Sequence, residues 1–397
     1  MREKAWMGRM GALAAAALVA GMLAVGCGRS DEETVYVLRV AGAVSHLVSA
    51  NTDYMTGGAT LVRMDAGQGF PVWDNTAALD SDIGAVETFT VRGVELAFVV
   101  GRMTDSIYVL NPGAGLTLSR TLPVGPGFWA ENPQDVLVVS DDKAYVTRHG
   151  SDDILIINPL TGDSLGHITF AGIPTNADGL ARPADMVMAG DTVFVALQNL
   201  DIDYNWGKAS VENGILAVID PVTDTVGDTV MLSTANPQRL LYDRELGMVV
   251  VINAGLYFDD TGQPQKDRSG IELVSTRPPY AHSVAVMGDD PEVDGNIYDG
   301  ALWQGYTAYV LVTEGWANVD RAIKVNLVSG AVDAGFRYPA FGTGDDDLSG
   351  IVTTGDGWLA VGDRRASGIF IMDLTSDAPA ALAQTALPPM YLGVVGP

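Results

Sequence analysis

The stretch AYVTRHGSDDILIINPLTGD, residues 144–163, sets two short β-rich runs around a polar turn and closes on an Asn-Pro-x-Thr-Gly reversal. One such unit is ordinary hairpin chemistry; what it means for the fold depends on whether it recurs. Its first run, around Tyr145, has counterparts around Phe98, Phe194, Val250, Tyr309 and Leu359, with a weaker copy around Leu47, and neighbouring copies stand 47 to 59 residues apart. The second run ends more regularly, on Asp65, Asn111, Asn158, Asp220, Ser275, Asn326 and Asp373, most of them followed by turn residues such as PGAG, PLTG, PVTD, LVSG and LTSD. Asp, Asn or Ser at a strand end accepts from the backbone two residues on and so closes a tight reversal.

Seven units emerge. Within a full one the order is strand, turn, strand, polar loop, strand, Asx turn, strand, at 134–140, 143–148, 153–158 and 163–170. Short β-branched and aromatic runs are separated by Gly, Pro and Asp, and no long amphipathic helix follows residue 30, which predicts an all-β chain. Four antiparallel strands recurring at this period predict a seven-bladed β-propeller of four-stranded antiparallel blades, whose radial closure protects the sheet edges.

The unit AYVTRHGSDDILIINPLTGDSLGHI resembles the YVTN-type repeat of bacterial surface-layer and YncE-like seven-bladed propellers. NPQDVLVV before it matches the proline-containing approach to that family's innermost strand, and RPADMVM at 182–188 and NPQRLLY at 236–242 repeat it. YDGALW and DLSGIV lack the proline. The resemblance covers about residues 44–392, is highest over 132–232, and implies a fold and an extracytoplasmic setting without implying one chemistry.

At the N-terminus Arg2, Lys4 and Arg9 lead an apolar run from about Gly11 to Leu23 that stops at Ala24-Val25-Gly26-Cys27. It is too short for a stable membrane span and reads as a removable export signal, residues 1–26. Cys27, the only cysteine of the 397 residues, excludes an intramolecular disulfide and a thiolate metal cluster. Its setting resembles the bacterial lipobox, which implies that Cys27 becomes the acylated N-terminus. Several acyl chains, at about 0.8 kcal/mol per buried methylene, anchor a protein stably. The next residue is Gly28 and not the aspartate that resembles an inner-membrane retention signal, so the resemblance implies the outer membrane, facing periplasm or cell surface. Residues 27–33 then form a lipidated tether, and 34–397 a single propeller domain. Without residues 1–26 the chain holds 20 Lys+Arg against 48 Asp+Glu, a net charge near -28. Such a surface repels phosphate backbones, so nucleic acid is not an expected partner.

In a four-stranded blade, the loop joining the second and third strands and the loop leading into the next blade open on the same face. Irregular length gathers there, at 199–213, 253–269 and 313–321, and in segments leading to inner strands at 125–132, 288–299 and 337–347. These loops carry Trp129, Tyr204, Trp206, Tyr257, Phe258, Trp316, Tyr338 and Phe341 beside charged residues. Aromatics on a rigid scaffold supply large contact area at low entropic cost, and equally well cap blade ends. Asp135, Asp185 and Arg239 hold equivalent places at the start of inner strands, near the channel mouth. A buried carboxylate there needs a partner, which makes an interblade hydrogen bond the simpler role. Asp201, Asp203, Asn205 and Glu212 stand at positions 1, 3, 5 and 12 of a calcium-loop-like pattern. Its turn glycine, however, falls at position 7 as Gly207 and no helices flank it. Calcium is the one cofactor the sequence raises.

His46, His149, His167 and His282 show no metal-binding spacing, and there is no Gly-x-Ser-x-Gly elbow, Walker loop or dinucleotide fingerprint. These readings favour a lipid-anchored, non-enzymatic binding module that holds a small molecule, glycan or protein on its loop-rich face. The alternative is a calcium-dependent lactonase- or hydrolase-like enzyme in which the Asp135 and Asp185 region is catalytic, and a third is a passive surface-layer component.

Overall fold

The computed structural model describes residues 45–395 apart from 129, 202–211, 257–264, 315–319, 334 and 337–346, with the backbone alone at 75–78. Twenty-seven strands follow one another with no α-helix among the described residues. The first blade receives β1 (His46–Thr52), β2 (Gly57–Arg63) and β3 (Val72–Leu79). Blade two runs from inside to outside as β4 (Ile83–Val91), β5 (Val94–Gly101), β6 (Ser106–Asn111) and β7 (Thr117–Pro123). Blade three is β8 (Pro133–Ser140), β9 (Lys143–Arg148), β10 (Asp153–Ile157) and β11 (Ser164–Thr169). Blade four is β12 (Pro183–Ala189), β13 (Thr192–Leu197), β14 (Ile215–Asp220) and β15 (Thr225–Met231). Blade five is β16 (Pro237–Asp243), β17 (Met248–Asn253), β18 (Gly270–Ser275) and β19 (His282–Met287).

Blade six shows β20 (Asn296–Trp303), β21 (Thr307–Thr313) and β22 (Asp320–Asn326) among the described residues, with Val332 bridging to Val325 beyond them. Blade seven is β23 (Leu348–Thr353), β24 (Trp358–Asp363), β25 (Gly368–Asp373) and β26 (Ala378–Gln384). The last strand, β27 (Pro389–Val395), returns to pair with β1 as the innermost strand of blade one. The chain is thus an all-β seven-bladed propeller, closed by a blade that joins both ends of the ring. The repeat identifies the blades without announcing this closure.

The strand pattern follows from blade packing. Second strands read iBBBBB in β9, β13 and β17, because a blade's middle is covered on both faces and so needs a continuous apolar run. Outer strands such as β7 and β26 are mostly exposed, with one inward residue near the end. Seven hydrophobic clusters result, one at each interface between neighbouring blades. The predicted Asx reversals are present. The side chains of Asp65, Asn158, Asp220, Asn326 and Asp373 accept from the N–H two residues on, at 2.8–3.1 Å, and Ser275 does the same for Arg277 at 3.1 Å. Asn111 is the exception: Pro112 follows and no side-chain cap forms.

Candidate ligand site at the channel mouth

Inner strands begin, and second strands end, on one face, here called the front. Near this end the pairing of all seven inner strands slips by a residue, at Ile83/Ala85, Pro133/Asp135, Pro183/Met186, Pro237/Arg239, Ile297/Asp299, Ser349/Ile351 and, on β27, beside Tyr391. A bulge re-aims the side chains beside it. In blades three to six it sets Asp135, Asp185, Arg239 and Asp299 around the channel mouth.

Each of these carboxylates is tied to the backbone. Asp135 accepts from Val136 N at 2.7 Å and from Met186 N of the next blade at 2.9 Å. Asp185 accepts from Leu240 N, again one blade on, at 2.6 Å, and Asp299 from Gly300 N at 2.8 Å. The interblade bond weighed from the sequence is therefore present at both Asp135 and Asp185. Arg239 Nη1 lies 3.2 Å from Glu87 Oε1 and 3.7 Å from Asp185 Oδ1, while its Nε is 3.8 Å from Asp299 Oδ1. Glu87 belongs to β4 and Arg239 to β16, three blades apart in a ring of seven, so this ion pair ties opposite walls of the channel together. Both side chains are 26 % exposed, whereas Asp185 is buried.

Burial decides the protonation of the cluster. It raises Glu87 to about 7 and Asp299 to about 6 against the opposing pull of Arg239. Burial also pushes Asp135 well above the usual carboxylate range, with the Asp185 and Glu87 charges adding, and raises Asp185 despite Arg239. Burial works against the charge of Arg239 as well, but Asp185, Glu87 and Asp299 outweigh it and hold the guanidinium above its usual value. At neutral pH the cluster thus retains protons and is less anionic than its formula.

In front of this cluster lies a cavity of about 280 Å³. Asp135, Asp185, Arg239 and Asp299 line it, and Arg102, Arg364, Gln198 and Tyr391 complete its wall. Arg102 donates to Tyr391 Oη at 3.0 Å and pairs with Asp82 at 3.4 Å. Arg364 donates to Tyr54 Oη at 2.7 Å and to Asp347 Oδ2 at 2.8 Å. His149, which stands just beyond β9, is lowered to about 4, first by burial and then by Arg182; it is neutral at physiological pH.

Glu87, Asp135 and Asp185 each bring a carboxylate oxygen within 4.8 Å of the others, a spacing open to a cation. The donor set nevertheless does not fit calcium, which takes six to eight oxygens. Backbone N–H groups already occupy Asp135 and Asp185, and Arg239 stands among these oxygens as the compensating positive charge. In the calcium-like loop, Asp201 accepts from Ala177 N at 3.1 Å and Asp178 N at 2.9 Å, and Glu212 is exposed. Asp203 and Asn205 lie outside the described residues, as do Cys27, Trp129, Tyr204, Trp206, Tyr257, Phe258, Trp316, Tyr338 and Phe341. The site that the described residues assemble is therefore the channel mouth, where Asp135, Asp185 and Arg239 join four residues the sequence reading did not single out: Glu87, Asp299, Arg102 and Arg364.

No protein-family model and no curated protein sequence matches the chain. Solved structures do resemble it. A provisionally assigned 6-phosphogluconolactonase from Bacteroides fragilis has a TM-score of 0.59 at 11% identity, over 90% of this chain and 99% of that one. A streptogramin B lyase reaches 0.55 at 9% identity, covering 79% and 87%. Apo AztD from Citrobacter koseri reaches 0.51 at 12% identity, covering 89% and 98%. At such identities the likeness is one of fold, shared by proteins of varied function.

Proposed function

We propose that this chain is a non-enzymatic binding propeller that holds a small molecule in the cavity at its channel mouth. The observation that carries the reading is how the acids there are employed: they fasten blade to blade through backbone N–H groups and enclose a built-in guanidinium. That makes a rigid polar floor, with little carboxylate free to abstract a proton. The cavity lies just below the usual volume of small-molecule sites, and its lining is at least as polar as it is apolar.

The lactonase- or hydrolase-like reading rests on the convergence of Glu87, Asp135 and Asp185 and on fold likeness, and it requires an ion that the neighbouring Arg239 disfavours. We further propose that Cys27 carries the lipid that tethers the propeller at the outer membrane, facing periplasm or cell surface. The support for this address is the sequence around Cys27.

Mass spectrometry of the native protein isolated from its host membrane tests both proposals. An acylated Cys27 and a retained stoichiometric small molecule, with no divalent ion, are expected. A stoichiometric divalent ion whose chelation abolishes ester or lactone turnover supports the enzyme instead, and a free Cys27 thiol overturns the address.

A further inference from the structure

The front face of this acidic chain carries several arginines, each beside an acid. Of the chain's 23 basic residues 18 are arginine, and Arg102, Arg148, Arg182, Arg239 and Arg364 all stand at starts of inner strands or just at the ends of second strands, on the front face. Arginine's planar fork suits carboxylate and phosphate oxygens better than the point charge of lysine does.

Two of these arginines converge. Arg102 reaches from blade two and Arg364 from blade seven, flanking the closing blade between them, and they meet consecutive residues of β27. Arg102 Nη2 donates to Tyr391 Oη at 3.0 Å and Arg364 Nη1 lies 3.4 Å from Met390 Sδ. Both guanidiniums line the one cavity.

Arg364 is held by Tyr54 and Asp347, at 2.7 and 2.8 Å, and Arg102 is the less fully used of the two. Arg102 has one long ion pair, to Asp82 at 3.4 Å, and its buried Nε–H meets no acceptor; the buried Arg239 Nε–H below it also lacks a hydrogen-bond acceptor. A buried donor left without an acceptor is costly. Gly84 packs against this guanidinium, where a Cβ would stand 3.2 Å from Arg102 Nε. The floor acids oppose an anion less than their number suggests, because backbone donors and Arg239 already satisfy them.

We propose that the cavity binds a small hydroxylated organic anion, whose carboxylate or phosphate lies between Arg102 and Arg364 and whose hydroxyl groups meet the polar floor around Arg239. The volume corresponds to about nine waters at ~30 Å³ each, enough for a sugar-acid-sized molecule. This inference rests on reading the cavity as a ligand site.

The test is calorimetric titration of the whole protein with two matched pairs, D-galactonate against galactitol and glycerol 3-phosphate against glycerol, alongside native mass spectrometry of the protein as isolated. At least one anion binds and its neutral partner does not; which pair responds distinguishes carboxylate from phosphate. Arg102→Gln and Arg364→Gln each weaken that binding at least tenfold, while Arg244→Gln, near the opposite face, leaves it unchanged. Should a glutamine variant fail to fold, Arg102→Lys and the loss of wild-type affinity on raising the salt concentration give the same reading. Equal binding of the neutral partner, or a neutral or cationic molecule retained by the isolated protein, overturns the anion while leaving the ligand site standing. No probe bound and no molecule retained overturns both.

Discussion

At the scale of single residues the channel mouth is governed by one arginine among four acids. Truncating Arg239 leaves Glu87, Asp185 and Asp299 without their shared partner, and removing one member of a buried ion pair costs about 3 kcal/mol or more. Arg239→Ala is therefore expected to lower stability by about that amount in urea unfolding at pH 7.5. The deficit should shrink at pH 5, where the acids take up protons.

Glu87 supplies a second prediction, with a sign that differs from the usual acid. Its folded pKa of about 7 lies above its ordinary 4.5, so the folded state holds its proton more tightly. Its contribution is fully present below about pH 4.5 and is lost as pH rises through about 7. Asp299, raised to about 6, acts in the same direction, as do Asp135 and Asp185, whereas His149, lowered to about 4, opposes them because its stability is lost as pH falls below 6.5. Comparing Glu87→Gln with wild type follows this group together with the relief its loss gives Asp135. The variant should gain relative stability between pH 5 and 8, by at most about 3 kcal/mol, read from paired urea titrations. A flat difference contradicts the assignment.

At the scale of elements, the bulges that open the inner strands aim the site. Gly350 sits at one of them with φ +65, and a Cβ there would stand 3.1 Å from Leu392 N and 3.2 Å from Met390 O. Gly350→Ala is expected to cost about 1–3 kcal/mol. Gly93→Ala, at φ +76 with open space around it, should cost less, because it carries backbone strain without the clash. Urea midpoints of the two variants check this. The same elements show how far the sequence could be read. Strand bounds in blade three, 133–140, 143–148, 153–157 and 164–169, fall within a residue of those read from period and turn chemistry, because both signals are local.

Asp135, Asp185 and Arg239 were legible because a proline marks the start of their strands. Asp299 holds the same register in YDGALW, where that mark is missing. Glu87 pairs with Phe98 as Leu137, Val187 and Leu241 pair with Tyr145, Phe194 and Val250. An acid in an otherwise apolar column was a usable signal, but its partner three blades away follows only from ring closure. Arg102 and Arg364 leave second strands into loops that share no pattern, so nothing periodic points to their convergence.

At the scale of the whole molecule, the ring closes by β27 joining β1, and seven interblade cores depend on that closure. Deleting residues 388–397 removes the inner strand that supplies Leu392 and Val395 to the two cores flanking blade one. The expected outcome is loss of a single cooperative unfolding transition, followed by circular dichroism and calorimetry, with exposed β1 edges promoting association. A sharp, unshifted transition would mean that the ring does not need its closing strand. The rigidity this closure confers is what lets loops and strands from blades two and seven hold Arg102 and Arg364 over a floor built by blades three to six.

The central claim is that the cavity between those arginines and Arg239 is a ligand site. A crystal structure of the protein purified from its host, without added ligands, tests it most directly. The account predicts continuous non-protein density in contact with Arg102 and Arg364. A cavity holding only ordered water, with a ligand or metal ion bound at another place on the front face, would contradict it.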